Sequence, residues 1–455
     1  MIRIILLASI FWVMPLALTD VVSQSSAVLA AEKEKKKKTR RVPALRESTY
    51  KKLAEAQVMI DPESVPREEG EPPPEPTGTP RDAVEMLMKF KDRRGLNSYE
   101  KAQIWNTLAF AYYTLEDMKN TIRSYENVLL QGVISEALEQ QSLRALYQLY
   151  FGEEQYRKAI TYIERYETVR GELEPVVTFT KSLAYYLLED IRTSLQYAVQ
   201  VEELALAQGK EMKEPWYYLQ VVDYNSLEDY DNVIRVLETL IHKFPKKQYW
   251  MHLAGMYSEK EWESKALSAY YAAYHQGFLI RESEVVMLSQ RLLASDNPYE
   301  AAMVLEKGLD EDVISRSEKN LKLLATAYTM AQEMPKAIMA WGNAAQYAKD
   351  GDIYYRLAQA LAQEDRYKEA VTAYRKALDK KGLSKEADVQ FWLAITLMNL
   401  ERWNEATRAF RAAERLDRKK RKTVRQYIRY ITGEKRRQEE LRRMAADTEA
   451  LLAAE

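Results

Sequence analysis

The sequence contains no cysteine and little glycine. With no cysteine among 455 residues, disulfides, a thiol nucleophile and a lipid-modified amino-terminal cysteine are excluded. Glycine occurs 14 times and tyrosine 31 times, a balance that favours long helices with aromatic packing over a fold rich in tight turns. Because the net charge is −1, overall charge gives no indication of a nucleic-acid or membrane partner.

The amino terminus carries an apolar run, Ile4 to Leu18, behind Arg3. This run is short for a membrane-spanning helix and typical of a secretory signal, with cleavage after Ala30 or Ala31. Seven basic residues between positions 33 and 41 work against export. Residues 1–31 are therefore predicted to be a cleaved signal peptide or an uncleaved inner-membrane anchor, with a cytoplasmic helix as a third alternative. Residues 32–43 form a basic tether. If the source is a Gram-negative bacterium, either leading alternative places the remainder in the periplasm.

The clearest motif lies between Trp250 and Ala273. Two sets of residues recur at helical spacing on either side of a polar turn, with small side chains where two antiparallel helices approach closely. This pattern is typical of the tetratricopeptide repeat (TPR), a helical hairpin that cannot bury its apolar face alone. The anchors are Trp250, Leu253, Ala254, Tyr257, Ala266, Tyr270 and Ala273.

The motif recurs along the chain with a period near the ~34 residues of such repeats. We therefore predict an all-α fold, a right-handed TPR superhelix of about nine to ten hairpins, with residues 95–417 as the main array. The repeat around Ser194 is the most degenerate. The positions equivalent to Ala266 are Thr121, Ala159, Ser194, Val233, Ala266, Ala301, Ala337, Ala370 and Ala406.

Both ends of the array depart from the repeat. Residues 44–94 are predicted to form an atypical first hairpin, in which a helix from Ala44 to Ile60 packs on a second helix and residues 61–80 form a disordered or extended acidic, proline-rich insert. The alternative is that the first of these helices is only tethered. Residues 418–432 are predicted to be a capping helix that ends at Gly433, and residues 433–455 a charged helical tail. The segment from Arg415 to Arg443 has thirteen basic and four acidic residues, which fits a solvated cap or a contact with anionic lipid or another acidic partner.

Residues suited to catalysis are scarce. His242 and His275 occupy the same position in successive repeats, roughly 10 Å apart by helix packing, which is too far to share a metal ion. Neither these nor His252 belongs to a metal-ligand motif, and no phosphate-binding loop or nucleophile elbow is present. The sequence therefore predicts a protein that is not an enzyme, with no catalytic residues, no metal site and no cofactor.

The first helices of a TPR array line a concave groove. In the amino-terminal half, the groove positions hold aromatic side chains beside amides, which suits an extended peptide because rings bind apolar side chains and amides pair with its backbone. The alternative is that several of these rings pack between successive helices. The predicted partner-binding residues are Asn106, Phe110, Tyr113, Arg144, Gln148, Phe151, Phe179, Tyr186, Tyr218 and Asn225.

Four longer strings, at 248–257, 297–309, 318–325 and 425–431, are more specific than the repeat pattern. Over residues 43–432 the chain resembles the periplasmic TPR proteins encoded beside TonB, ExbB and ExbD in gammaproteobacteria. The resemblance implies a non-enzymatic accessory of energy-coupled outer-membrane transport, with TonB-, ExbB- or ExbD-like inner-membrane proteins as partners. The insert at 61–80 departs from that family. A second hypothesis is an envelope or peptidoglycan-assembly factor that acts as an adaptor for a wall enzyme.

Overall fold

The computed structural model describes residues 40–65, 72–380 and 382–452, with side chains up to residue 447. The predicted signal or anchor, residues 1–31, and most of the tether at 32–43 lie outside these ranges. The described chain is helical, without strands, and divides at Pro245–Lys246 into unit 1 and unit 2. Its helices are α1 (Glu47–Ile60), α2 (Pro80–Phe90), α3 (Ser98–Thr114), α4 (Met118–Leu130), α5 (Glu136–Gly152), α6 (Tyr156–Arg170), α7 (Pro175–Leu187), α8 (Ile191–Ala207), α9 (Glu214–Ser226), α10 (Tyr230–Lys243), α11 (Lys247–Glu259), α12 (Glu263–His275), α13 (Glu282–Ala294), α14 (Pro298–Asp310), α15 (Glu318–Met330), α16 (Met334–Gln346), α17 (Asp352–Gln363), α18 (Tyr367–Asp379), α19 (Glu386–Asn399), α20 (Trp403–Leu416) and α21 (Arg421–Leu452).

Consecutive helices pair as hairpins, and α1 to α20 form hairpins 1 to 10 in chain order. Hairpins 1 to 5 belong to unit 1, and hairpins 6 to 10 with α21 belong to unit 2. The predicted fold class, an all-α array of TPR hairpins, is confirmed. In the part of the chain that the structure describes, no helix is both long enough and apolar enough to cross a membrane.

The small-residue positions of the repeat all lie in the interior. Each of the nine positions equivalent to Ala266 is fully buried, including the polar Ser194 and Thr121. Close approach of two helices leaves no room for solvent at these positions, whatever the side chain. The predicted register is therefore correct even in the degenerate repeat.

In each of hairpins 2 to 10, the two helices are joined by the same type of turn. In each turn a non-glycine residue takes a left-handed conformation, and the next N–H donates to a carbonyl five residues back. In hairpin 2, for example, the N–H of Asp117 donates to the carbonyl of Tyr112 at 2.9 Å. This is the Schellman arrangement that ends helices. The left-handed residues are Glu116, Glu154, Glu189, Glu228, Glu261, Asp296, Gln332, Asp365 and Glu401.

Hairpin 1 is built differently. Helix α1 begins at Glu47 instead of the predicted Ala44. The reason is that Arg46 has an extended backbone, and both its backbone N–H and its guanidinium donate hydrogen bonds to Glu100. Leu53 of α1 shares a buried apolar cluster with Leu87 of α2. In the insert, residues 66–71 lie outside the described ranges, and Pro62–Ser64 form a short 3₁₀-helix.

Helix α21 runs through Gly433, so the prediction that this glycine ends the capping helix is wrong. A glycine within a helix costs only about 1 kcal/mol, and it ends a helix mainly by adopting a positive φ, which Gly433 does not. Residues beyond it hold the helix on hairpin 10. The Trp403 indole N–H donates to Gln438 Oε1 at 3.0 Å, and Lys435 Nζ donates to Asn404 Oδ1 at 2.9 Å.

Candidate partner-binding surface

The division between packed and accessible side chains is clearest on α3. The repeat anchors Leu108 and Ala109 are fully buried. Asn106 and Phe110 are half-buried, and Tyr113 is 36% exposed. These three residues recur at helical spacing and therefore share one side of the helix. The structure leaves these predicted groove residues in contact with solvent.

Four more predicted residues are accessible on later first helices of unit 1. Gln148 on α5, Tyr186 on α7 and Tyr218 on α9 are half-buried, and Asn225 near the end of α9 is exposed. Burial raises the pKa of Tyr218, and the hydroxyl of Tyr186 adds to the increase. The two side chains, on hairpins 4 and 5, are therefore close enough to interact electrostatically.

Phe151 and Phe179 are not accessible, so the prediction that they face an open groove is wrong for these two residues. Phe151 is 1% exposed and packs edge-on against Tyr156, with ring centroids 5.3 Å apart. Phe179 is 3% exposed and lies 6.2 Å from Trp216 of the next hairpin. Both rings fill space inside and between hairpins, as the packing alternative proposed, because burying a large apolar side chain is more favourable than leaving it exposed.

Arg144 is exposed, but its guanidinium is already engaged within the chain. Its Nη2 donates to the Tyr166 hydroxyl at 2.6 Å and to Glu174 at 3.3 Å. The guanidinium also lies 5.3 Å from the centre of the Tyr166 ring. Arg144 therefore joins hairpins 3 and 4, and a partner would have to displace these contacts to reach it.

A buried polar network between hairpins 4 and 5 was not predicted from the sequence. Ser182 Oγ donates to the backbone carbonyl of Ser194 at 2.7 Å, and Ser194 Oγ donates to Asp223 Oδ2 at 2.8 Å. Asp223 is fully buried, and its Oδ1 has no hydrogen-bond partner among the described residues. Burial raises the pKa of Asp223 to about 7, although the hydrogen bond from Ser194 opposes the increase. A serine at the small-residue position was the signal for this network.

A second buried charge holds hairpin 1 on α3. Glu100 is fully buried and accepts hydrogen bonds from Arg46 Nε at 2.8 Å, from Thr49 Oγ1 at 2.8 Å and from the N–H of Asn97 at 2.9 Å. The Arg46 guanidinium is the main cause of a pKa of about 2 for Glu100. The carboxylate thus remains ionised at all ordinary pH values and fixes α1 in place.

The predicted histidines do not form a metal site with neighbouring acids in the described ranges, where no group of three or more His, Asp or Glu side chains could hold a metal ion. His242 and His275 are exposed, and His275 lies edge-on against Tyr271 at 4.5 Å. Burial lowers the pKa of His252.

Comparison with known proteins agrees with the repeated hairpin. The tetratricopeptide-repeat family profile matches residues 351–379, which correspond to hairpin 9. No curated protein matches the sequence. Repeated hairpins, a buried small-residue position and this match together describe a tetratricopeptide-repeat protein. The TPR fold is typically a non-catalytic scaffold for protein interactions.

Many solved structures resemble the chain at low similarity. A tetratricopeptide repeat protein from Parabacteroides merdae is 15% identical, with 62% of this chain and 99% of that chain covered and a TM-score of 0.33. The TPR2AB domain of yeast Sti1, in a pHSP90 complex, is 13% identical, with 57% of this chain and 97% of that chain covered and a TM-score of 0.32. YrrB, described as a TPR protein with an unusual peptide-binding site, is 15% identical, with 40% and 92% covered and a TM-score of 0.32. Similarity at this level carries no functional information.

Proposed function

We propose that this protein is a non-enzymatic scaffold that binds an extended segment of a protein partner along the first helices of unit 1. The observation that carries the proposal is the division on α3, where the repeat anchors are fully buried while Phe110 and Tyr113 keep surface in contact with solvent. Rings at such positions bind apolar side chains of an extended peptide, and the nearby amides of Asn106 and Gln148 suit its backbone.

We further propose that the scaffold works in the periplasm as an accessory of a TonB-type energy-transduction system. Two features of the sequence support this setting, namely the apolar run within residues 1–31 and the strings that resemble TPR proteins encoded beside TonB, ExbB and ExbD. The partner segment would then be the extended periplasmic stretch of a TonB- or ExbD-like protein. Such a stretch is free to lie along a helical surface without first unfolding.

The groove is tested by measuring the affinity of the full chain for purified periplasmic segments of TonB- and ExbD-like proteins. Changing Phe110 and Tyr113 to alanine should weaken binding by about tenfold or more, because buried aromatic anchors each contribute over 1 kcal/mol at an interface. Tyr113→Ala is measured alone as well, because Phe110 also packs against the core of hairpin 1.

The matched control changes Tyr299 on α14 and Tyr347 directly after α16 to alanine. Both are exposed tyrosines at second helices of unit 2, and their loss should leave the affinity unchanged. Equal affinity of Tyr113→Ala and the unmodified chain would remove the groove from the proposal. The alternative, an adaptor for a peptidoglycan enzyme, predicts that the chain sediments with purified sacculi, which a TonB accessory has no need to bind.

A further inference from the structure

The connection between α20 and α21 carries a dense group of exposed cations. Six basic side chains lie within the end of α20, the following 3₁₀-helix and the first turns of α21, and all six are exposed. In the described structure only one of the six, Arg421, forms an ion pair, with Glu414 at 3.2 Å. We call this group the basic tip. It consists of Arg415, Arg418, Lys419, Arg421, Lys422 and Arg425.

The acidic groups nearest in sequence do not neutralise the tip. Asp417 caps the 3₁₀-helix by accepting the Lys419 backbone N–H at 2.9 Å. Glu414 forms its ion pair with Arg421. Lys420, which lies between tip residues, turns inward to Asp388 at 2.5 Å and to the Phe391 ring. The remaining tip cations therefore point to solvent with their charge largely unbalanced.

The tip differs from a site built for one small anion. In such a site the donors are fixed by packing and hydrogen bonds, as Arg46, Thr49 and Asn97 are fixed around the Glu100 carboxylate. The tip side chains are instead long and exposed. A surface whose negative charge is distributed over many groups can be bound by such side chains, because it requires only a high density of cations. Leu416, which is 50% exposed, adds an apolar side chain at the same turn.

We propose that the basic tip docks unit 2 on the surface of an anionic phospholipid bilayer. Negative headgroups match the density of cations, and Leu416 contacts the boundary between headgroups and acyl chains. Val424 and Ile431, on the apolar side of α21, are buried in the protein, so the helix does not bury that side in lipid. The attachment is therefore mainly electrostatic and sensitive to salt. This inference stands independently of the partner-binding groove.

The test is sedimentation of the full chain with vesicles of phosphatidylcholine containing about one-third phosphatidylglycerol, compared with phosphatidylcholine alone. The chain should bind the anionic vesicles at low salt and dissociate as salt is raised to about 0.5 M, where exposed charges are screened over a few ångströms. In the variant Lys419→Glu, Lys422→Glu, Arg425→Glu, each lost cation should weaken binding about fivefold, so the loss should be roughly a hundredfold or more. Leu416→Ser should weaken binding severalfold by removing an apolar contact, and this loss should not depend on the salt concentration.

The matched control is Lys119→Glu, Arg123→Glu, Arg157→Glu, which makes the same change of charge on exposed residues of unit 1. It should bind within about twofold of the unmodified chain, and circular dichroism checks that both triple variants are folded. Equal losses in the two triple variants would mean that net charge alone drives binding, and an unaffected tip variant would move the contact to the tether at 32–43. Absence of binding to anionic vesicles, or tighter binding to polyglutamate or duplex DNA, would also overturn the proposal.

Discussion

The two units are built from the same hairpin but have different interiors. Of the seventeen buried polar or charged side chains among the described residues, fourteen lie in unit 1 and three in unit 2. The buried charges Glu100, Lys181 and Asp223 all belong to unit 1. One continuous apolar cluster extends from Ala273 to Ile431 in unit 2, whereas the core of unit 1 is divided among several smaller clusters.

This difference shows that the small-residue position of the repeat has two uses. In unit 2 the position holds alanine, and successive hairpins meet through apolar side chains that tolerate substitution if volume is kept. In unit 1 two of these positions hold Thr121 and Ser194, whose hydroxyls are buried, whereas Ala159 and Val233 keep the position apolar in the other two repeats. A buried polar group must find its partner, so a network such as Ser182–Ser194–Asp223 defines how its helices meet more strictly than apolar packing does.

Among substitutions that test this difference between the interiors of the two units, we expect the largest change in stability at Asp223. Its pKa of about 7 lies above the ordinary 3.8, so an unfolded chain ionises near pH 4 and the folded chain only near pH 7. The stability of this region should therefore be greatest below pH 4, fall as pH rises to about 7, and stay level above it, with a total loss of at most about 4 kcal/mol. Asp223→Asn should remove this dependence and stabilise unit 1 at pH 8, because a neutral amide avoids the buried charge.

Hydrogen exchange of α8 and α9 between pH 5 and pH 8, corrected for intrinsic rates, measures this effect region by region. A measurement that resolves individual regions is needed because the two units need not unfold in one step. Asp231→Asn, an exposed change on α10, is the control and should retain the pH dependence of the unmodified chain. Identical pH profiles for Asp223→Asn and the unmodified chain would show that Asp223 carries no such penalty.

A smaller loss is expected when the buried ion pair at hairpin 1 is broken by Glu100→Gln. Removal of one partner of a fully buried pair costs about 3–5 kcal/mol. Here we expect about 2 kcal/mol, because the Arg46 side chain is 51% exposed and regains water. Since the pKa of Glu100 is lowered to about 2, this contribution is complete above pH 4.5 and is lost as pH falls from about 4.5 to about 2.

The measurement is protection of the α1 amides, which Glu100→Gln should lower while α5 to α10 stay unchanged. The control is Glu369→Gln in unit 2, which breaks an exposed pair with Arg366 at 2.6 Å and should change little. Equal effects of the two substitutions would contradict the view that buried charges distinguish the units.

The sequence predicted the features that depend on spacing. Hairpin number and the buried small-residue positions follow from periodic side chains. It failed where tertiary contacts decide the outcome. Groove position could not distinguish the buried Phe151 from the accessible Tyr113, since both are aromatic residues on first helices. The hydrogen bonds that carry α21 past Gly433 join residues far apart in the chain, and local propensity holds no information about them.

The smallest effect concerns a feature that the two units share. Glu154 in unit 1 and Glu261 in unit 2 both have φ of 58° at the turn between their helices. A left-handed conformation costs an L-residue about 1–2 kcal/mol, and glycine avoids most of this cost but loses more entropy on folding. Glu154→Gly and Glu261→Gly should therefore each stabilise the chain by about 0.5 kcal/mol in urea unfolding. Gln290→Gly, an exposed change within α13, should instead destabilise it by about 1 kcal/mol. Equal gains in the two units would place their difference in the interior and not in the turns, whereas a gain in one unit alone would show that the turns also differ.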